Sequence, residues 1–377
     1  MDSLKKKDEI QLKSLNLWVN NQCKGSLALA TGTGKTKVAL LAIDYLINTL
    51  GIKKPNILLA VPTESLRDVN WLDEFVKWKV KKFYKFLDRN CYVSLKKIEG
   101  QHYDLVILDE IHNLTESNSE FFSQNTFDRI IGLSATPPSD EIKKLLISMH
   151  CPVIFEYKLE TAIDDGVAAP YKINLVEIQL DNRDKYITSG TKLKPFMNTE
   201  YKQYAYLTKK ISVMRYLRNA NGAMFAQLNR LRFLGNLKSK TEVAKQILNK
   251  YMVNDRSLIF CHGIDQANEL CEHRFHSKTK DTDLKKLRLK QINRLSCVKA
   301  LNEGENISDL DSAIIIQVNS VERNLIQQLG RIVRFRKGHE ATIWVLIAVD
   351  TQDEVWWKSC SENLDKQKIT YINSKNL

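Results

Sequence analysis

No stretch of this 377-residue chain approaches the roughly 18 consecutive apolar residues of a membrane span, so no membrane partner is expected. The opening residues, MDSLKKKDEIQLKS, carry charge with no apolar run behind them. A secretory leader is therefore not expected, and a cytoplasmic setting is, including a host cytoplasm should the protein be viral. CxxC pairs are missing too. The seven cysteines, at 23, 91, 151, 261, 271, 297 and 360, are odd in number and irregular in spacing. That suggests neither a disulfide framework nor a zinc knuckle. Cys261, Cys271 and Cys297 fall in or beside apolar stretches and read as buried thiols. The histidines are scattered. His273 and His276, three apart on an expected helix near Cys271, read as chance spacing rather than a metal site. Internal repeats and low-complexity tracts are absent.

Acidic residues are short relative to basic ones, 44 Asp and Glu against 57 Lys and Arg, a formal net charge of +13. The excess is uneven. Residues 202–245 hold ten Lys/Arg and one acid, Glu242; residues 274–299 hold nine Lys/Arg and two acids, Asp281 and Asp283. Solvated lysines would mix more with acids, so a nucleic-acid surface is expected. Tyr204, Tyr206, Tyr216, Phe225 and Phe233 lie in the first of these stretches. Rings can stack on bases, but at helical spacing core packing is the preferred reading for most of them. The mixed stretch Lys77–Phe86 is either a DNA-facing patch or an amphipathic segment with its aromatics docked inward.

Length alone suggests two or three domains. Asn56–Val61, Leu105–Asp109 and Ile130–Leu133 are short apolar runs suited to strands buried on both faces of a parallel sheet. Between the first turn signals, Gly34 to about Asn48 carries apolar residues at helical spacing. A second α/β pattern follows, with strands at Ser257–Cys261, Ala313–Val318 and Ala341–Val349 and helices at Lys285–Leu295 and Asn324–Ile332. Tyr171–Leu180 alternates apolar and polar residues, and a long basic helical region runs from about Tyr201 to Tyr251. The expected fold class is α/β with two parallel-sheet domains in tandem. Their boundaries are a first α/β domain over 1–158, a linker and helical accessory segment over 159–250, a second domain over 251–350 and a tail over 351–377.

Three motifs carry chemistry. Ala30–Thr36 reads ATGTGKT after an apolar run. Gly32 and Gly34 let the backbone curl so that successive N–H groups, with those of Thr31 and Thr33, point at phosphate oxygens, and a helix beginning near Gly34 adds its positive end. Lys35 is placed to reach the β- and γ-phosphates, and Thr36 offers a hydroxyl to Mg²⁺. Leu29 stands where the full pattern has a glycine. Next, LVILDEIH delivers Asp109 and Glu110 to a strand's C-terminal end, where parallel sheets bind ligands. Asp109 can hold Mg²⁺, and Glu110 can orient and deprotonate the attacking water. His112, just beyond, contacts the nucleotide, passes its state onward, or makes interdomain hydrogen bonds only. Finally, QQLGRIVRFR places Arg331 and Arg334 three apart on one helical face. Such guanidinium forks suit a transferring phosphoryl group. A basic surface helix is the other reading.

Taken together these segments resemble the superfamily 2 DExH-type DNA helicases and translocases, nearest to the XPB-like and phage recombination or repair helicases. The resemblance runs through most of residues 8–350. Gln11, seven residues before Trp18, matches the adenine-reading glutamine. ATGTGKT matches motif I, AVPTESLRDVNW (60–71) motif Ia and DEIH motif II. SATP, with Ser134, Ala135 and Thr136, matches motif III, which couples nucleotide state to nucleic-acid grip. SLIFCHGIDQA resembles motif IV, and LNEGENI, with Gly304 and Asn306, resembles motif V. QQLGRIVR, with Gln328, matches motif VI. Asn306 replaces an acid common in relatives. The resemblance implies RecA-like domains, ATP and Mg²⁺ as cofactors, and one nucleotide held between the two sheets. It also implies backbone-directed DNA contacts from Thr63, Arg67, Lys299 and Asn302, largely independent of sequence. Coupling falls to His112, Thr136 and Gln328.

DNA, including forked or branched DNA, is favoured over RNA because the resembling proteins act on DNA. The oligomeric state is open, a monomer included. Rival readings are the motor subunit of a restriction or defence complex, an RNA helicase, and a motif-bearing binding module with little turnover. A P-loop kinase would leave the Arg331 and Arg334 helix unexplained.

Overall fold

Apolar runs buried on both faces build two separate parallel sheets. The structure is a computed structural model that describes residues 2–135, 140–191, 193–298, 307, 310–318, 339–362 and 364–377. Chain contacts divide it after Pro170 into two units.

The first unit opens with helix α1 (Asp2–Asn20) and strand β1 (Lys24–Leu29). Helix α2 (Lys35–Asp44) follows, then β2 (Ile57–Val61), helix α3 (Trp71–Lys77) and β3 (Leu87–Cys91). A short side ladder pairs β4 (His102–Tyr103) with β6 (Thr126–Phe127). β5 (Leu105–Asp109), β7 (Ile130–Ser134) and β8 (Val153–Tyr157) complete the main sheet, ordered β3-β2-β5-β7-β1-β8 with every pairing parallel. All residues of β2, β5 and β7 are buried, as their unbroken apolar runs require. One face of this sheet packs Leu58, Val106, Leu108 and Ile130 against Tyr103, Phe121 and Ile147. Because the strands are parallel, the C-terminal ends of β1, β2, β5 and β7 emerge at one edge.

The second unit holds β9 (Tyr171–Ile178), the hairpin of β10 (Ile187–Thr191) and β11 (Lys194–Asn198), β12 (Ser257–Cys261) and β13 (Arg274–Phe275). After these come β14 (Arg294–Val298), β15 (Ser312–Ile315), β16 (Ala341–Ala348) and β17 (Ile369–Asn373). Its sheet runs β13-β14-β12-β15-β16-β9-β17, again parallel throughout. Val176, Ile259, Ile314 and Leu346 of this sheet pack on Val243, Ala244, Ile247 and Leu248 of the helix Lys238–Lys250. Among the described residues no helix is long and apolar enough to cross a membrane.

Several expectations change. The alternating stretch Tyr171–Leu180 contains β9, a strand paired between β16 and β17 in the second sheet. The segment expected as a tail returns as β17 beside it. The basic region is three helices, Glu200–Tyr216, Ala220–Gly235 and Lys238–Lys250, broken at Arg218 with φ 53° and again at Asn236 and Leu237. The helix expected over Lys285–Leu295 is Thr282–Arg288; Lys290 takes φ 60° and ends it, and Leu295 lies in β14. His273 and His276 flank the two-residue β13 instead of riding a helix. Of the seven free cysteines, all but the half-buried Cys271 are buried, and burial pushes the Cys151 thiol up to about 12.

Candidate nucleotide-binding site

The glycine turn sits at the end of β1. Gly32 has φ 86° and Gly34 φ 93°, a left-handed backbone that costs glycine little and other residues more. Gly34 is also pressed by Gln11: a Cβ there would collide with the Gln11 amide nitrogen. Gln11, buried on α1, donates from Nε2 to the Thr33 carbonyl at 2.7 Å. The Thr33 hydroxyl bonds back to the Ala30 carbonyl at 2.7 Å. So the glutamine expected to read adenine braces the loop itself. The seven-residue spacing to Trp18 places both on one side of α1, and the Trp18 indole bonds the Ile130 carbonyl at 2.8 Å. Lys35 and Thr36 begin α2, whose N-terminal N–H groups face the turn.

β5 brings the acids to the same edge. Lys35 Nζ lies 3.5 Å from Glu110 Oε1, with both side chains nearly buried. Glu110 takes φ 51° and ψ 55°, a conformation that costs a non-glycine residue about 1–3 kcal/mol and is concentrated at functional sites. Its Oε2 is buried without a hydrogen-bond partner, as is the Thr31 hydroxyl. His112, fully buried, lies 3.6 Å from that oxygen and hydrogen-bonds Ser134 at 2.9 Å through Nδ1. The DEIH and SATP segments therefore touch through one histidine. Lys143 Nζ caps the His112 carbonyl at 3.0 Å. Ala135, next along, is buried.

Asp109 has a partner that the sequence did not announce. The Trp71 indole donates to its Oδ2 at 2.9 Å, while the Tyr92 hydroxyl bonds its carbonyl at 3.0 Å. Leu66–Asn70 forms a π-helical turn, and the Trp71 N–H closes it on the Leu66 carbonyl. Residues five apart diverge by about 140° on an α-helix but align across an i→i+5 turn. Leu66 and Trp71 accordingly both face inward, followed by Phe75. Only the tryptophan itself, in an otherwise polar stretch, hinted at this.

Thr36, Asp109 and Glu110 offer oxygen donors only, which is the set Mg²⁺ prefers. The unpartnered Glu110 oxygen is consistent with a hydrated cation or water beside it. A carboxylate accepts at about four lone-pair positions, so the indole leaves Asp109 capacity for such a ligand.

The remaining candidates sort as follows. The Thr63 hydroxyl accepts a long 3.4 Å bond from the Leu66 N–H after β2. Arg67 is spent on its neighbour, gripping Asp68 at 2.9 and 2.8 Å, which raises the guanidinium pKa further. The Lys77–Phe86 stretch docks inward: Phe83 is buried, Tyr84 packs edge-on against Phe75, and Lys81, Lys82 and Lys85 point out. Core packing fails for Tyr206, Tyr216 and Phe225, which are 54%, 87% and 58% exposed. Thr136, Lys299, Asn302, Gly304, Asn306, Gln328, Arg331 and Arg334 lie outside the described residues.

Residues 3–99 match the family model described as the res subunit of type III restriction enzymes. The chain is 25% identical to the DNA 3'-5' translocase XPB2 of Sulfurisphaera tokodaii, over 92% of this chain and 84% of that one. Among solved structures it resembles Dbp5 of S. cerevisiae bound to RNA and ADP BeF3, with TM-score 0.62 at 13% identity, covering 100% of this chain and 94% of that one. The helicase domain of Hef from Pyrococcus furiosus gives TM-score 0.51 at 14% identity, over 94% of this chain and 97% of that one. At such identities the structural likeness speaks for the fold alone: two RecA-like parallel-sheet domains.

Proposed function

We propose that this chain is a superfamily 2 helicase or translocase, and so a nucleic-acid-dependent ATPase, that hydrolyses ATP and couples that reaction to movement on, or remodelling of, DNA. The observation that carries this reading is the convergence of the glycine turn, Lys35, Asp109, Glu110 and the His112–Ser134 pair on one sheet edge. Backbone N–H groups of the turn and the start of α2 hold the phosphates, with Lys35 adding positive charge. Thr36 and Asp109 hold Mg²⁺, which neutralises phosphate charge when bound. Glu110, set in its strained conformation with one oxygen unpartnered, aligns a water and takes its proton. Arg331 and Arg334 enter from the sequence as the groups that neutralise charge on the transferring phosphoryl. Gln11 links nucleotide occupancy to the loop through Thr33. DNA is preferred as the track because the XPB2 relative is named a DNA translocase.

ATP turnover measured with no nucleic acid, single strands, duplexes, forks and RNA duplexes tests the reading. Turnover should rise with DNA and vanish in Lys35→Ala. No stimulation by any nucleic acid would count against a motor. The match over residues 3–99 to a restriction-enzyme subunit favours a second reading, a motor that works inside a restriction complex; its turnover would stay low until a nuclease partner is added.

A further inference from the structure

The two helices Glu200–Tyr216 and Ala220–Gly235 pack on each other as a hairpin, with Asn219 capping the second by accepting from the Gly222 N–H at 2.8 Å. We propose that the outward faces of this hairpin form a stacking surface for an unpaired nucleic-acid strand. The inference rests on the reading of the chain as a nucleic-acid motor and adds which strand it grips, and where.

The hairpin does not need its exposed rings to fold. Leu207 and Ile211 on the first helix, and Ala223, Ala226 and Leu234 on the second, supply its buried stripe. Tyr204 is committed internally: its hydroxyl accepts the Gln352 N–H at 2.9 Å, and the Arg230 guanidinium lies 5.8 Å from its ring. Phe233 packs beside Leu234 and Leu237. Tyr206, Lys209, Val213 and Tyr216 instead follow i, i+3, i+7, i+10, which is one solvent-facing stripe about 15 Å long. Val213 is 42% exposed, and on the second helix Met224 and Phe225 are each 58% exposed beside the exposed Arg232.

Charge selects the occupant. Lys202, Lys209, Arg215, Arg218 and Arg232 are exposed. The hairpin's single acid, Glu200, is fully buried and hydrogen-bonded at both oxygens, accepting from the Asp181 and Ser239 N–H groups at 3.0 Å each and from the Tyr186 hydroxyl. The outward surface thus carries cations, flat rings and the aliphatic side chains of Val213, Leu217 and Met224, and no negative charge. A duplex turns phosphates outward and hides its base faces, so cations alone would serve it. Rings interleaved with cations match a strand that offers phosphates and open base faces together. An acidic protein would meet the charge and the exposed aliphatic side chains, but exposed rings set among cations suit a strand with open base faces better.

The test compares the full chain with Tyr206→Ala/Tyr216→Ala/Phe225→Ala by fluorescence anisotropy on a labelled oligo-dT strand, a fork and a blunt duplex. A second variant, Tyr206→Phe/Tyr216→Phe, keeps the rings. Each lost stacking contact should weaken binding roughly tenfold, so single-strand and fork affinity should fall by about a thousandfold in the alanine variant, which loses three rings. Blunt-duplex affinity and DNA-independent turnover should hold, and the phenylalanine variant should match the parent. Unchanged single-strand affinity overturns the proposal, as does an equal loss on the blunt duplex, which would mark a backbone contact only. Intact DNA binding with loss of an acidic protein partner overturns it as well. DNA-stimulated turnover that persists with equal affinities sinks the stacking surface alone. A parent chain that binds no strand and is stimulated by none sinks the motor reading too.

Discussion

At the scale of single residues, the side chains of the candidate site differ in how openly they declare themselves. Lys35 and Asp109 were legible because their neighbours fix their places: a glycine turn after one strand and a four-residue apolar run before the other. Glu110 was legible as an acid at that strand's end, but its left-handed backbone was not, since nothing in LDEIH demands φ 51°. Trp71 was invisible as a partner of Asp109, because its direction depends on the π turn before it. The indole bond goes to a charged acceptor, a class worth about 1.5–3 kcal/mol. Trp71→Phe keeps a ring in the buried space and removes the donor. It should raise the Mg²⁺ concentration needed for half-maximal turnover several-fold, read by Mg²⁺ titration at saturating ATP. An unchanged Mg²⁺ requirement would make the bond structural only.

At the scale of elements, legibility followed burial. β5 and β12 match their expected bounds because every position, or nearly so, is apolar. β3 (LDRNC) went unread because it is an edge strand with exposed and half-buried polar positions. β9 was read as extended yet left out of the sheet, since its partners β16 and β17 lie far along the chain. The helix Lys238–Lys250 hides another unreadable device. Lys240, wholly buried, meets Asp353 at 2.6 Å, the Ile316 carbonyl at 2.9 Å and Gln317 at 3.0 Å. Burial draws its ammonium below the usual lysine range, against the upward pull of Asp353. Removing one partner strands the other charge in the interior, so Lys240→Ala should cost about 3–5 kcal/mol in urea unfolding. A loss under about 1 kcal/mol would show that the pair is replaceable.

At the scale of the whole molecule, two parallel sheets in one chain were expected from two rounds of short apolar runs and turn signals, and both are present. The excess of positive charge pointed to a polyanion, but composition could not separate rings that pack from rings that face water. Tyr204 and Tyr206 are two residues apart and fall on different sides of their helix, one half-buried and the other exposed. That distinction required the fold. The central claim concerns the first sheet alone: its β1, β5 and β7 edge both holds the triphosphate and activates the water that cleaves it. Single-turnover hydrolysis of pre-bound ATP by Glu110→Gln, alongside nucleotide affinity, tests it most directly. The account predicts affinity within a few-fold of the parent and a hydrolysis step slowed by about 10²–10⁴, the range of a lost general base; cleavage at the parent's rate would contradict it.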